Sequence, residues 1–271
     1  MRRLFLFACY DAEGRLTPTT DYLLSALKRC GDVVMVMDAP FAPDVRERIK
    51  GRVLYAEGLR HEEYDFGSYK RAFQWAEDNL RLSDYDILYL VNDSVFGPLG
   101  DLSAALEKME ALDSEVVGRV YNPHRRTPHL QTWFVGLRPA VFLSQYFRDF
   151  MLGVAKCESK HEVCVRYEIG LTRLLNEHGI TPAALFQIPA KKIYNSPKRN
   201  LLSGLPFVKK DSLYRHGGSL GRQIKWLLDH GDSAIRQAVI DELQQKGRED
   251  LLTDSRFTVM GRYLRYLYGK I

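Results

Sequence analysis

Five apolar residues in succession, Ile87 to Val91 (ILYLV), end abruptly in Asn92, Asp93 and Ser94, and Phe96-Gly97-Pro98 then turns the chain away. A short unbroken apolar run of this kind reads as a strand buried inside a sheet. Its polar end admits two readings. Asn, Asp and Ser are the usual residues of a strand-to-loop turn. They are also what a ligand site needs at the carboxyl end of a parallel strand, where open α/β sheets collect their chemistry.

The rest of the chain supplies partners for such a strand. Apolar runs predict strands over residues 4–9, 33–37, 52–55, 115–120 and 130–137. Helical spacing predicts helices over 20–30, 65–81, 102–112 and 139–151, with Phe66, Tyr69, Phe73, Ala76 and Leu80 on one face of the second and Asp65 as its N-cap. Strands alternating with helices define an α/β sheet wound from βα units. From His161 to His178 the pattern becomes one long amphipathic helix, with Val163, Tyr167, Leu171, Leu174 and Leu175 on one stripe and Gly179 as its stop. Residues 182–211 read as basic loop, and helices return over 223–229 and 234–246.

With 271 residues, 45% hydrophobic and 27% charged, the chain has the composition of a soluble globular protein. No run approaches the roughly 18–20 apolar residues of a spanning helix. The opening MRRLFLF is interrupted at Tyr10-Asp11 and has no small-residue cleavage pattern, so it reads as a first buried strand of a cytoplasmic protein. Four cysteines without a CxxC read as reduced structural thiols. A net charge of +5 is compatible with an anionic partner without naming one.

Several chemistries lack their motifs. No GxxxxGK[ST] is present, no GxGxxG follows a strand, and HGGSLG at residues 216–221 is too short a match. HEEYD and HEVCV lack the second His of a zinc-protease helix, and there is no GxSxG elbow.

Four segments read in order point elsewhere: YDFGSYKRAF at 64–73, LYLVNDSVFGPL at 88–99, HLQTWFVGLR at 129–138 and YEIGLTRLL at 167–175. Together they resemble the rhamnan synthesis protein F family, glycosyltransferases of bacterial surface-polysaccharide assembly, over residues 4–210. The resemblance implies a GT-A fold: a Rossmann-like, mixed and mostly parallel sheet flanked by helices, here over residues 1–215, with a C-terminal helical appendage over 216–271. It implies a nucleotide-diphospho-sugar donor above the strand ends and a saccharide or lipid-linked glycan acceptor beside it, with no nucleic-acid partner.

In GT-A enzymes a D-x-D pair ending a central strand holds a divalent ion against the donor diphosphate, and a hard ion such as Mg²⁺ or Mn²⁺ prefers such oxygen ligands. Asn92-Asp93-Ser94 takes that place with one carboxylate. Asp93 therefore binds a metal with help, His216 being the best partner, or the site works without a metal. The resemblance makes Glu168 the catalytic base of an inverting transfer, since Leu171 stands three residues and Gly179 eleven residues after it. A helix carboxylate paired with Arg166 or Thr172 is the structural alternative.

Tyr10 and Asp11 leave the first strand, where the nucleotide base lies in this fold, or form an Asx-turn. Asp65, Gly67, Ser68 and Lys70 open a helix whose free N–H groups favour an anion, or Lys70 is simply solvated. His129, Gln131, Thr132 and Trp133 border the sugar pocket, where a ring and hydroxyl partners suit a pyranose, or Trp133 packs the core. Cations and aromatics over residues 256–271 suggest a helix on an anionic membrane at the inner face of the cell; docking on the protein itself is the alternative. The functional rivals are a retaining transferase and a catalytically inactive glycan-binding or scaffold subunit.

Overall fold

The computed structural model describes residues 1–252 and 255–268, apart from side-chain detail at positions 216, 217 and 227. Its strands are β1 Arg3–Cys9, β2 Asp32–Met37, β3 Tyr55–Gly58, β4 Ile87–Asn92, β5 Val95–Phe96, β6 Val116–Asn122, β7 His129–Leu130, β8 Phe134–Leu137, β9 Ala183–Gln187 and β10 Val208–Lys209. Eight of them form one sheet in the order β3-β2-β1-β4-β8-β6-β7, with β9 added on β6. β3, β2, β1 and β4 are parallel, as are β6 and β9. β8 runs antiparallel between β4 and β6, and β7 is antiparallel to β6. This is the mixed, mostly parallel, helix-flanked α/β sheet expected from the sequence, and helices Gly221–Asp229, Ser233–Gln245 and Arg256–Tyr268 follow it.

The chain divides into two units. The first holds the eight-stranded sheet and comprises Met1–Leu16, Leu24–Asp93 and Leu102–Gln187; the second comprises Thr17–Leu23, Ser94–Asp101 and Ile188–Ile271. In the first, every residue of β4 is buried. The Tyr64–Asn79 helix covers the sheet with Phe66, Tyr69, Ala72, Phe73 and Ala76, spaced three and four apart, against a core that includes Leu6, Leu88 and Leu90. Burying each large apolar side chain contributes about 1.5–3 kcal/mol. In the second unit β5 pairs antiparallel with β10. Its core gathers Phe96, Val208, Leu213, Ile224, Ile235, Val239 and Leu243.

Local departures from the sequence expectations have physical reasons. The strand expected over 52–55 lies at Tyr55–Gly58, in register with β2. The strand expected over 130–137 breaks at Gln131–Trp133, where the backbone turns toward other elements. The long helix expected over 161–178 is interrupted by a widened π turn at Cys164–Glu168, in which the Ile169 N–H reaches back five residues to the Cys164 carbonyl. The stretch expected to be loop contains β9 and the helices Ala190–Asn195 and Pro197–Leu202. The Tyr64–Asn79 helix starts one residue early, after Glu63, so Asp65 sits in its first turn and is not its cap.

Candidate functional site

The strand order determines where ligands can sit. From β1 the chain winds outward to β2 and β3, then returns to β4 on the other side of β1. The β1 and β4 ends therefore form a topological switch point, the crevice where open α/β sheets bind ligands. The Asp93 N–H donates to the Ala8 carbonyl at 3.1 Å, and the Tyr10 N–H faces Asp93 Oδ2 at 3.4 Å. The Tyr10 ring is exposed, with the Arg60 guanidinium 5.5 Å from its centroid. Asp11 is buried: its Oδ1 accepts from the Glu13 and Arg15 N–H groups at 3.0 and 3.1 Å, so it closes the turn after β1.

Asp38 ends β2 in the same way, accepting the His61 and Glu62 amides at 2.8 and 3.0 Å and pairing with Arg60 at 3.2 Å. The His61 ring accepts the Glu63 N–H at Nδ1 and so donates from Nε2 to Ser68 Oγ at 3.0 Å. Burial holds this imidazole below its ordinary pKa. Gly67 is required where it stands, because a Cβ would meet Glu63 Cβ at 2.3 Å and His61 Nδ1 at 2.7 Å. Its N–H donates to the Glu63 carbonyl, and the Lys70 ammonium donates to the Val154 carbonyl at 2.7 Å.

Asp65 turns toward the end of β4, where its Oδ2 accepts the Asn92 amide at 2.8 Å. β8 is antiparallel to β4, so the segment before β8 lies beside the β4 end, and the Asn92 N–H donates to the Trp133 carbonyl at 3.1 Å. The broken strand then serves three neighbours. The Thr132 carbonyl accepts the Tyr69 hydroxyl at 3.1 Å, while the Thr132 N–H and Oγ1 both donate to Glu168 Oε2 at 3.1 and 3.2 Å. Trp133 itself is interior at 2% exposure, its indole N–H donating to Gln131 Oε1 at 3.0 Å.

The other Glu168 oxygen, Oε1, lies 3.3 Å from the Cys164 thiol and 3.4 Å from His129 Nε2. The His129 ring is buried, and its Nδ1 lies 2.7 Å from the Thr127 carbonyl. Burial acts to lower the His129 pKa, but the Glu168 and Thr127 contacts outweigh it and the net shift is upward. Burial, then the Glu168 charge, pushes the Cys164 thiol up to about 12. The buried Tyr69 phenol is driven well above its ordinary value by desolvation and then by the charges of Asp65, Glu168 and Asp93, with Asn92 opposing. The Tyr69 hydroxyl itself is spent on the Thr132 carbonyl.

The structure brings Tyr10, Asp65, Asn92, Asp93, His129, Thr132 and Glu168 to one edge of the first unit. It directs Asp11, Lys70, Gln131 and Trp133 to local partners. In the second unit Ser94 Oγ accepts from Lys209 Nζ at 2.8 Å. The His216 side chain lies outside the described residues. Asp38, Arg60 and Cys164 were not singled out from the sequence; the signals were an acid ending β2 and a thiol one turn before Glu168.

A mixed α/β sheet with carboxylates gathered at its switch point has the layout of a GT-A-like protein. Within that class the chain belongs to the family described as rhamnan synthesis protein F, which it matches over residues 45–255. The match starts later than residue 4 and extends past residue 210 into the C-terminal helices. No curated protein matches the chain. Among solved structures it is similar to a protein from Desulfovibrio desulfuricans G20 described as a nucleotide-diphospho-sugar transferase, at 15% identity and a TM-score of 0.44, covering 88% of this chain and 99% of that one. It is also similar to a cytidylyltransferase from Leptospira borgpetersenii serovar Hardjo-bovis, at 15% identity and a TM-score of 0.41, covering 94% of this chain and 98% of that one.

Proposed function

We propose that the protein is an inverting glycosyltransferase that moves a sugar from a nucleotide-diphospho-sugar to a saccharide acceptor in bacterial surface-polysaccharide synthesis. Rhamnose on deoxythymidine diphosphate is the donor that family membership favours. The observation that carries the reading is the run of hydrogen bonds at the β1–β4 switch point, in which Asn92 holds Asp65 and meets the Trp133 carbonyl, Thr132 holds Glu168, and Asp93 is fastened to Ala8. The exposed Tyr10 ring beside Arg60 offers a stacking surface for the nucleotide base.

Glu168 is the base in this reading. An acceptor hydroxyl oxygen attacks the anomeric carbon, its proton passes to Glu168, and the bond from that carbon to the diphosphate oxygen breaks with its electron pair going to the diphosphate. Thr132 Oγ1 can turn its proton away from Oε2, which frees a lone pair for the incoming proton. Asp93 and Asp65, the latter held at the β4 end by Asn92, are the oxygen donors we assign to a hard ion in this reading. When bound there, Mg²⁺ or Mn²⁺ would offset charge on the departing diphosphate. No described helix is long and apolar enough to cross a membrane. The exposed Phe257, Met260 and Tyr268 of the Arg256–Tyr268 helix favour contact with the inner membrane face, where a lipid-linked acceptor would lie.

Replacing Glu168 by Gln is expected to abolish transfer and leave donor binding intact, read by product formation and by calorimetry with the nucleotide-sugar. Substantial residual turnover would refute the role of Glu168. An absence of donor hydrolysis and of transfer across a nucleotide-sugar panel would favour the scaffold reading.

A further inference from the structure

The contacts of His129 contain an unresolved opposition. A carbonyl oxygen can only accept, so the Nδ1 lying 2.7 Å from the Thr127 carbonyl carries the ring hydrogen. Nε2 then presents a lone pair to Glu168 Oε1 at 3.4 Å, and an ionised carboxylate also only accepts. Two acceptors facing one another at this distance are reconciled by a positive centre, either a proton on Nε2 or a bound cation. Cys164 Sγ, 3.3 Å from the same oxygen, provides a third donor, and one ligand atom from each residue lies within 4.8 Å of the others.

These lengths match a known geometry. A tetrahedral ion with bonds of about 2.0–2.3 Å to nitrogen, oxygen and sulfur holds its ligand atoms about 3.3–3.7 Å apart. The two sides that share Oε1 already have this length, at 3.3 and 3.4 Å. The supporting contacts also suit a metal centre. The second imidazole nitrogen is held by a carbonyl, and the second carboxylate oxygen is held by the Thr132 N–H and Oγ1, which orients ligands as outer partners do around metals. The π turn places Cys164 and Glu168 on one face, and such turns recur at functional sites. Glu168 and Cys164 are only partly buried, so the centre can be reached from solvent with a fourth position open.

We propose that His129, Cys164 and Glu168 bind one zinc-class divalent ion. A nitrogen, sulfur and oxygen donor set selects a borderline ion over Mg²⁺ or Mn²⁺, which prefer oxygen alone. On binding, Cys164 forms its Zn–S bond and releases its thiol proton to solvent. Resting on the reading of Glu168 as the base, a consequence is that zinc inhibits transfer by occupying the carboxylate that must take the acceptor proton.

The test uses the full chain, freed of metal with a chelator and kept reduced. Cobalt(II) titration is expected to produce tetrahedral visible bands and a near-ultraviolet thiolate charge-transfer band, saturating at one equivalent and discharged by zinc but not by excess Mg²⁺. Cys164→Ser should remove the charge-transfer band. His129→Gln should keep that band and weaken zinc at least about tenfold. Matched melting temperatures establish that both variants are folded. The proposal is overturned if no band appears, if the band survives in Cys164→Ser, or if His129→Gln leaves the affinity unchanged; the positive centre is then a proton on Nε2. Zinc binding with unimpaired transfer would support the site and remove Glu168 as base. Absent binding with a dead Glu168→Gln enzyme would overturn the site and leave the base in place.

Discussion

The Asn92 amide donates to Asp65 at 2.8 Å, so the residue at the end of β4 acts by holding a carboxylate from another element. A hydrogen bond to a charged group contributes about 1.5–3 kcal/mol, enough to orient the acid. We expect Asp65→Ala and Asp93→Ala each to weaken nucleoside diphosphate binding in the presence of Mn²⁺ by at least tenfold, about 1.4 kcal/mol. Calorimetry checks this, and an unchanged dissociation constant in both variants would move the donor site away from this edge. The strand end that carries Asp93 and the amphipathic segment that carries Glu168 were legible as patterns. The pairing of Asp65 with Asn92 was not, since it spans residues 27 positions apart and exists only once the helix lies on the sheet. Cys164 escaped notice because a thiol on an amphipathic helix is ordinarily core, and only the widened turn sets it against Glu168.

At the scale of elements, the apolar runs and the helical stripe fixed which segments lie in the sheet or cover it. Their interruptions were illegible, because Gln131–Trp133 keeps strand-like composition while its backbone groups turn to Asn92, Tyr69 and Glu168. The Ser233–Gln245 helix shows a similar dependence on partners. Its buried Glu242 meets Lys246 at 2.7 Å, Lys210 at 3.6 Å, Thr17 Oγ1 at 2.9 Å and the Thr19 hydroxyl. Burial acts to raise its pKa, but the two lysines and Thr19 bring it from 4.5 down to about 2. The folded value is depressed, so the stabilisation is complete above about pH 4.5 and is lost as pH falls through about 2. It amounts to about 3 kcal/mol. Urea unfolding of the wild type and Glu242→Gln from pH 7 to 2 should show the difference between them shrinking by that amount over this window. The Arg256–Tyr268 helix makes a separate prediction: deleting residues 256–271 should release the protein from anionic vesicles, and unchanged co-sedimentation would count against membrane contact.

Across the first unit as a whole, the two edges of the sheet carry opposite kinds of polarity. At the amino edge Arg3 grips Glu110 with contacts of 2.6 and 2.8 Å, and Tyr89 donates to the same carboxylate at 2.7 Å. Burial opposes ionisation there, yet Arg3 and Tyr89 hold Glu110 below its usual range. Glu110→Ala leaves a half-buried guanidinium without its carboxylate and should cost about 3 kcal/mol. Urea melts would register the loss, with turnover per folded molecule unchanged. At the carboxyl edge the acids are instead held by neutral donors, Asp65 by the Asn92 amide and Glu168 by Thr132. Trp133 lies beside those acids, with its indole sealed from solvent and its carbonyl receiving the Asn92 N–H. The other two tryptophans have their own ring partners, Trp75 on Tyr55 and Trp226 on His230. Replacing both by Phe would leave one chromophore whose blue-shifted fluorescence reports occupancy of the strand end, so nucleotide binding becomes visible without a label.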